Sequence, residues 1–455
     1  MTHPPVTLHA DTRSPWGEPE KMNFTFLIVW LFVFEAFVRL EDIFPIIGSL
    51  HPVFVLGIGG TLAFAISVIR GRGRFQYSTE LGMVLSLTVW FILGIPFAYW
   101  RGGSLHLLIT DWSRTLLFFF LLTQVLTSVA RIRKILWAVV LSELVVSVAS
   151  LIGRGNLAYE VGERFAGVNK GLLGWNFLGI TLSVTLPFVA YLYVSRRSLV
   201  RTCFLLAVLG CTGWMLVLTA SRGGVFGIAF SGVLSWWFIL RGTPRSRLSI
   251  IVLALCLLVS VAKAPDVFWE RLSVWNGSDS QWNSTAASAA ESAQGREKLL
   301  KESILDTLHN PVFGLGIGNF AVYHGNNEGS TGSYGTHNTF TQISSEGGLP
   351  ALLLIVLLVG VVISHMKRVS SDPTNNAIDV ELRLLARATL VSTLAFVFSG
   401  FFAHIAYDYL LYYIVGIEIG VWTIARGSFA ASRAEVKSSE RFHGPLWTRR
   451  VHQWR

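Results

Sequence analysis

Three basic residues stand where the chain could do chemistry. Arg222 lies in Thr219-Ala220-Ser221-Arg222-Gly223-Gly224, a tight turn between two apolar stretches. An arginine at the bilayer centre costs about 2.5–3.5 kcal/mol on an insertion scale, so one kept among apolar helices is a functional candidate. Its guanidinium can grip phosphate oxygens in bidentate contacts. The glycines that follow allow close helix approach and leave backbone N–H groups open to an anion. His337, in Thr336-His337-Asn338, stands just before an apolar run. A neutral imidazole there suits a general base near neutral pH. Arg296, which opens a segment of helical spacing, is a third candidate. Each has a plainer reading when taken alone. Arg222 would snorkel to headgroups, His337 and Arg296 would be solvated, and Asn338 would only cap a helix. Lys298 and Lys301 fit the plain reading better.

These residues need elements to hold them, and the apolar pattern supplies membrane helices. A span takes about 20 mostly apolar residues. Such runs lie at 23–39, 50–69, 80–99, 106–129, 134–152, 171–194, 201–220, 223–240, 248–264, 347–366, 386–403 and 408–426. The first is short and carries Glu35. Twelve spans starting inside make every inner loop basic. Arg70, Arg72 and Arg74 fall there, as do Arg131, Arg133 and Lys134, then Arg196, Arg197 and Arg201, then Arg241, Arg245 and Arg247, then Lys367 and Arg368. The positive-inside rule makes that side cytoplasmic, with both termini on it. The expected organisation is a cytoplasmic tail (1–22), nine spans (23–264), a large periplasmic loop (265–346), three spans (347–426) and a basic cytoplasmic tail (427–455). In the loop, residues 276–292 are rich in Ser, Ala, Asn and Gly and read as flexible. Residues 296–308 carry apolar positions at 299, 300, 304, 305 and 308, which predicts an amphipathic helix at the membrane surface. Asn310-Pro311 stops it. No repeat relates the two halves of the chain.

Composition agrees. Of 455 residues 52% are hydrophobic and only 14% charged, where soluble proteins carry about 25%. Mean hydropathy is +0.54. The net charge of +10 is explained by basic cytoplasmic loops, which argues against a nucleic-acid partner. Cys203, Cys211 and Cys256 lie in apolar runs without a CxxC pair, and read as buried packing residues with no structural disulfide. The first 22 residues are polar and contain several prolines, so the first helix is expected to serve as its own insertion signal, without a cleaved leader.

Taken in order, four segments resemble the O-antigen ligase and O-antigen polymerase superfamily of bacterial membrane glycosyltransferases. Arg164-Phe165-Ala166-Gly167, followed by Asn176 and Pro187, looks like the family's lead into a central helix. Ser221-Arg222-Gly223-Gly224 looks like its SRGG turn. Gly295-Arg296, Asn310-Pro311 and residues 314–320 (GLGIGNF) are similar to the start of its large periplasmic loop. Thr336-His337-Asn338 and Glu346-Gly347-Gly348-Leu349 look like its HN motif and the helix after it. The likeness covers about residues 160–360, and the first five helices rest on topology alone. Pro350 departs from the family pattern, where a small residue is common, but proline is tolerated in a helix's first turn.

The resemblance implies an all-α integral membrane protein, GT-C-like, with about 12 transmembrane helices and amphipathic helices in one periplasmic loop. It implies transfer of a glycan from undecaprenyl diphosphate at the periplasmic face of the bacterial inner membrane. The acceptor would be a sugar hydroxyl of lipid A–core in a ligase, or of another lipid-linked unit in a polymerase. Arg222 and Arg296 would hold the diphosphate and His337 would take the hydroxyl proton. Arg164, Lys170 and Asn338 would be further substrate contacts, and Tyr323 and Tyr334 could stack on sugars. The outer loops hold no Asp-x-Asp pair, so neither a metal nor a cofactor is implied.

Two other readings compete. A different class of lipid-dependent glycosyltransferase uses an acidic base in its first outer loop, where Glu41 and Asp42 stand. A twelve-helix secondary transporter would use the ionisable residues in or near apolar runs: Glu35, Asp111, Arg114, Glu143 and Glu418. These could equally pair inside the bundle, Asp111 with Arg114 on one helix face.

Overall fold

Long apolar runs can satisfy their backbone in a bilayer only as helices or closed barrels. This chain folds as helices. The computed structural model describes residues 23–153, 159–161, 164–167, 174–196, 198–219, 221–243, 284–328, 335–371 and 377–442. In chain order the helices are α1 (Phe24–Val38), α2 (Pro52–Ile69), α3 (Thr79–Gly94), α4 (Arg101–Val125), α5 (Val129–Ile152), α6 (Gly174–Ser195), α7 (Leu199–Thr219) and α8 (Arg222–Leu240). Then come α9 (Ser284–His309), α10 (Phe320–Glu328), α11 (Thr339–Ser370), α12 (Ala377–Gly400) and α13 (Tyr409–Phe442). Between α5 and α6 lies an antiparallel hairpin, β1 (Tyr159–Val161) and β2 (Arg164–Gly167). Among the described residues ten helices are long and apolar enough to cross a membrane, and the shorter α1 is also apolar. The chain is an all-helical integral membrane protein. The expected span at 248–264 lies outside the described residues.

Helices in lipid gain little from the hydrophobic effect and associate through close packing and interhelical hydrogen bonds. The junction of α6, α8 and α12 shows how. Gly223, Gly227, Ser231 and Ser235 recur every fourth residue along α8. A Cβ at Gly179 of α6 would stand 2.4 Å from the Cα of Gly224, so only glycine permits that approach. Pro187, inside α6, has no N–H for the carbonyl of Ser183. That carbonyl accepts instead from the Ser231 hydroxyl at 2.5 Å, while Ser183 and Ser399 share a hydroxyl contact at 2.8 Å. The SRGG turn therefore begins a helix locked to two neighbours.

The segment before α11 differs from the sequence expectation. The helix starts at Thr339 and breaks at Gly348, whose φ is 75°. Pro350 stands in the first turn after the break, where its missing N–H is tolerated. The broken ladder is repaired from outside. Trp90 Nε1 donates to the Gly347 carbonyl (2.9 Å), Leu349 N–H to that of Pro311 (2.8 Å) and Leu315 N–H to that of Ser345 (2.7 Å).

Three further expectations change. Residues 284–292 of the Ser/Ala-rich insert are helical, part of α9; alanine is the best helix former and no glycine or proline interrupts them before Gly295. Cys203 is exposed, facing outward from α7, and Cys211 is half-buried; both are free, and Cys256 lies outside the described residues. Glu35, Glu143 and Glu418 do not pair with one another. Each accepts from a local partner: Leu40 N–H, the Thr185 hydroxyl and His365 respectively. Asp111 and Arg114 do approach each other, at 4.0 Å across one turn.

Candidate functional site

The site is built around the turn that precedes α11. Asn338 is the N-cap, its Oδ1 accepting from Phe340 N–H (2.9 Å) and Thr341 N–H (3.2 Å). The Thr336 hydroxyl donates to the Asn338 carbonyl at 2.8 Å. These bonds grip the backbone on both sides of His337 and hold it in the left-handed region, at φ 53°. A non-glycine residue there is uncommon and is retained where the surroundings over-determine it. The THN triplet is thus a fixture for one imidazole.

That turn is stitched to the loop between α12 and α13. The Thr339 hydroxyl donates to the Ala403 carbonyl (2.7 Å), Ile405 N–H donates to Thr339 Oγ1 (3.3 Å) and Ala406 N–H to Gln342 Oε1 (3.1 Å). The loop presents His404, whose ring lies edge-on to His337 with centroids 5.3 Å apart. A Cβ on Gly335 would come within 2.8 Å of the same ring. His404 is a residue the sequence reading passed over. It was legible only as a lone histidine between the last two apolar runs.

The electrostatics of His337 follow from its neighbours. Burial first, then His404, then Arg296 push its pKa down from 6.5 to about 4. Burial alone lowers His404. His337 Nδ1 is buried and accepts no hydrogen bond among the described residues. The imidazole is therefore neutral at physiological pH and keeps a lone pair unengaged.

Arg296 lies on α9, half-buried, close enough to act on His337. The Thr307 and Ser344 hydroxyls pair at 2.8 Å, joining α9 to α11. The face α9 turns to the protein is polar, with Ser303, Asp306 and Thr307 buried, whereas Leu300, Ile304, Leu305 and Leu308 are exposed. His324 of α10 sits between Asp306 (2.7 Å) and Glu302 (3.6 Å). The GLGIGNF stretch is a joint rather than a cradle. Gly314, Gly316 and Gly318 all have positive φ. Glu346 Oε1 accepts from Phe320 N–H (3.1 Å) while its Oε2 accepts from the Tyr407 hydroxyl (2.6 Å).

Arg222 is the first residue of α8, behind an N-cap from Ser221. The expectation of open amide groups holds only in part, because Gly224 N–H is taken by Ser221 Oγ at 3.3 Å. A Cβ on Gly223 would meet Phe402 at 3.0 Å, so this turn lies against the His404 loop. Arg164 lies on β2, paired with Val161. The hairpin follows α5, precedes α6 and packs on α7, at the end of the bundle where α8 starts. Lys170 and Tyr334 lie outside the described residues. The structure thus gathers His337, His404, Arg296 and the start of α8 at one end. Glu41 and Asp42 instead face Arg39, at 4.0 and 3.0 Å.

Residues 205–356 match the family model described as O-Antigen ligase. This segment is an O-antigen ligase family domain. It spans α7 to the first part of α11 and contains Arg222, Arg296, His337 and Asn338. The match supports a place near the O-antigen ligase and polymerase superfamily of membrane glycosyltransferases, over about a third of the chain. No curated protein matches the chain.

Proposed function

We propose that the protein is an O-antigen ligase-like glycosyltransferase, moving a glycan from undecaprenyl diphosphate to a sugar hydroxyl of lipid A–core. The observation that carries this is His337: a half-buried, neutral imidazole whose buried Nδ1 is unengaged among the described residues, held in a strained turn beside Arg296. In the reaction the acceptor oxygen bonds to the anomeric carbon of the donor. The bond from that carbon to the diphosphate oxygen breaks, and the diphosphate leaves with the electron pair. His337 takes the hydroxyl proton as attack proceeds, a contribution typically worth about 10²–10⁴-fold. A diphosphate leaving group needs charge stabilisation more than protonation, and Arg222 and Arg296 supply it. No metal enters this scheme.

A base of pKa about 4 is weak before substrate binds. The donor itself corrects this. An anionic diphosphate set against Arg296 offsets the positive field on His337 and raises its basicity once substrate is bound. Arg164 and Lys170 serve as outlying contacts to phosphate or sugar, and Asn338 holds the turn. The exposed apolar stripe of α9 suits a helix resting in a membrane interface. In this reading the site faces the periplasm of the inner membrane, both termini are cytoplasmic, and the partners are lipid-linked donor, glycan acceptor and membrane lipid, without nucleic acid.

The test is complementation of ligase-null and polymerase-null strains. Glycan restored to lipid A–core supports the ligase. Longer lipid-linked chains would replace it with a polymerase of the same superfamily. Full activity of His337→Ala in the successful assay would overturn the mechanism and return the acidic-base reading, whereas failure in both strains would favour the transporter.

A further inference from the structure

The family domain leaves unused a second cluster of ionisable groups, near the far end of α11 and the first turn of α3. Glu80 of α3 and Glu418 of α13 converge on His365 of α11. The Nδ1 of His365 is 2.8 Å from Glu418 Oε1 and 3.2 Å from Glu80 Oε1. About 25 Å of helix separates Gly348 from His365, at 1.5 Å per residue, so the cluster lies well away from His337.

Charge and hydrogen bonding leave this cluster incomplete. Both carboxylates are buried, Glu80 at 1% and Glu418 at 0% exposure. Glu80 Oε1 and Glu418 Oε2 have no hydrogen-bond partner among the described residues. One imidazole nitrogen cannot donate to both acids. With both acids ionised, even an imidazolium would leave a net charge of minus one on the three residues, and uncompensated buried charge is costly. A divalent cation with two carboxylates and a neutral imidazole sums to zero.

The geometry also suits an ion. One ligand atom from each of the three residues lies within 4.8 Å of the others. Donor spacings of 2.8 and 3.2 Å lie close to the roughly 2.8–3.1 Å between neighbouring ligands of an octahedral ion bound at about 2.0–2.2 Å. Trp422 stacks flat on His365, with centroids 4.0 Å apart and planes 9° apart, which fixes the plane of the ring. We propose that Glu80, His365 and Glu418 bind one divalent transition-metal ion that clamps α3, α11 and α13 together. One nitrogen and two oxygen donors suit zinc, manganese or ferrous iron better than calcium or cuprous copper. The ion is structural. The inference does not rest on the proposed glycan transfer.

The experiment uses the full chain in nanodiscs, loaded with Zn(II), Mn(II) or Co(II), desalted, and measured for metal by mass spectrometry. The expected result is about one ion per chain. Glu418→Gln and Glu80→Gln should lose it while His337→Ala keeps it. Metal should raise the melting temperature of the unaltered protein by several degrees. Co(II) should give a ligand-field absorption band absent from Glu418→Gln. If either glutamine variant fails to fold, the stoichiometry and melting shift of the unaltered protein decide. An unaltered protein that retains no ion at saturating metal, or binds equally well with Glu418→Gln or Glu80→Gln, would overturn the proposal. So would a melting temperature that responds to pH and not to metal.

Discussion

His337 and His365 are 28 residues apart, one just before α11 and one near its far end, and they keep opposite company. His365 is held between two buried carboxylates and stacked on a tryptophan. His337 meets no acid among the described residues; its neighbours are another histidine and an arginine. The same side chain is thereby given two different tasks. A histidine among carboxylates has its nitrogen committed to them or to an ion they share. A histidine kept neutral with an unengaged nitrogen can accept a proton from something that arrives. His324, between Asp306 and Glu302, belongs with His365 in this respect.

The comparison is most easily broken by removing each imidazole. His337→Ala is expected to lower kcat by about 10²–10⁴-fold. His365→Ala should cut the melting temperature and leave most of the transfer rate per folded molecule. Equal losses in kcat would mean that neither histidine is special. Next in size is the arginine chemistry. Arg222→Lys and Arg296→Lys keep the charge but lose the planar fork, and about 10–100-fold in kcat/KM should follow. Full activity with lysine at both positions would remove the diphosphate-binding role.

The pH profile sharpens the same contrast. His337 has its pKa lowered to about 4, so it stays neutral as pH falls from 7 and is protonated only near 4. The acid limb of kcat/KM, which reports the free enzyme, should therefore lie near pH 4 rather than 6.5. The limb of kcat should lie higher, because bound diphosphate favours the imidazolium. Coincident limbs near 6.5 would show that His337 is not the half-buried neutral base.

Smaller effects test the scaffold. Ser221→Ala removes the N-cap of α8 and should cost about 1 kcal/mol in an unfolding measurement, with a modest loss of rate because Arg222 is the next residue. Smallest of all, Asp42→Asn disturbs a partly exposed pair with Arg39, worth about 0–1 kcal/mol. It should leave transfer nearly unchanged. Abolished transfer would instead favour the acidic base.

Much of this molecule could be read from its sequence, for physical reasons that vary along the chain. Spans announce themselves because lipid demands continuous apolar surface, and ten expected spans correspond to helices. The polar residues at their ends stand out against that background, which is why Arg222 and His337 could be singled out. What brings them together could not be read. The packing of Gly223 on Phe402 and the hydrogen bond from Thr339 to Ala403 join residues 179 and 64 positions apart. His404 drew no attention, since nothing local distinguishes it until the fold sets it against His337. The pairing of Pro187 with Ser231 is a similar case: the proline is visible, its remedy lies on another helix. The break in α11 was hidden because Gly347-Gly348 and Pro350 also suit a helix start.

That break gives α11 two lives. Above Gly348 the helix owes its length and pitch to the turn that carries His337. Below it, the helix answers only to bilayer thickness and to its neighbours. Mutations that add or remove residues in the lower half need not be transmitted upward, because the carbonyls at the break are already satisfied by Trp90 and the loop. The length of the lower half can therefore follow membrane thickness while the turn around His337 keeps its geometry.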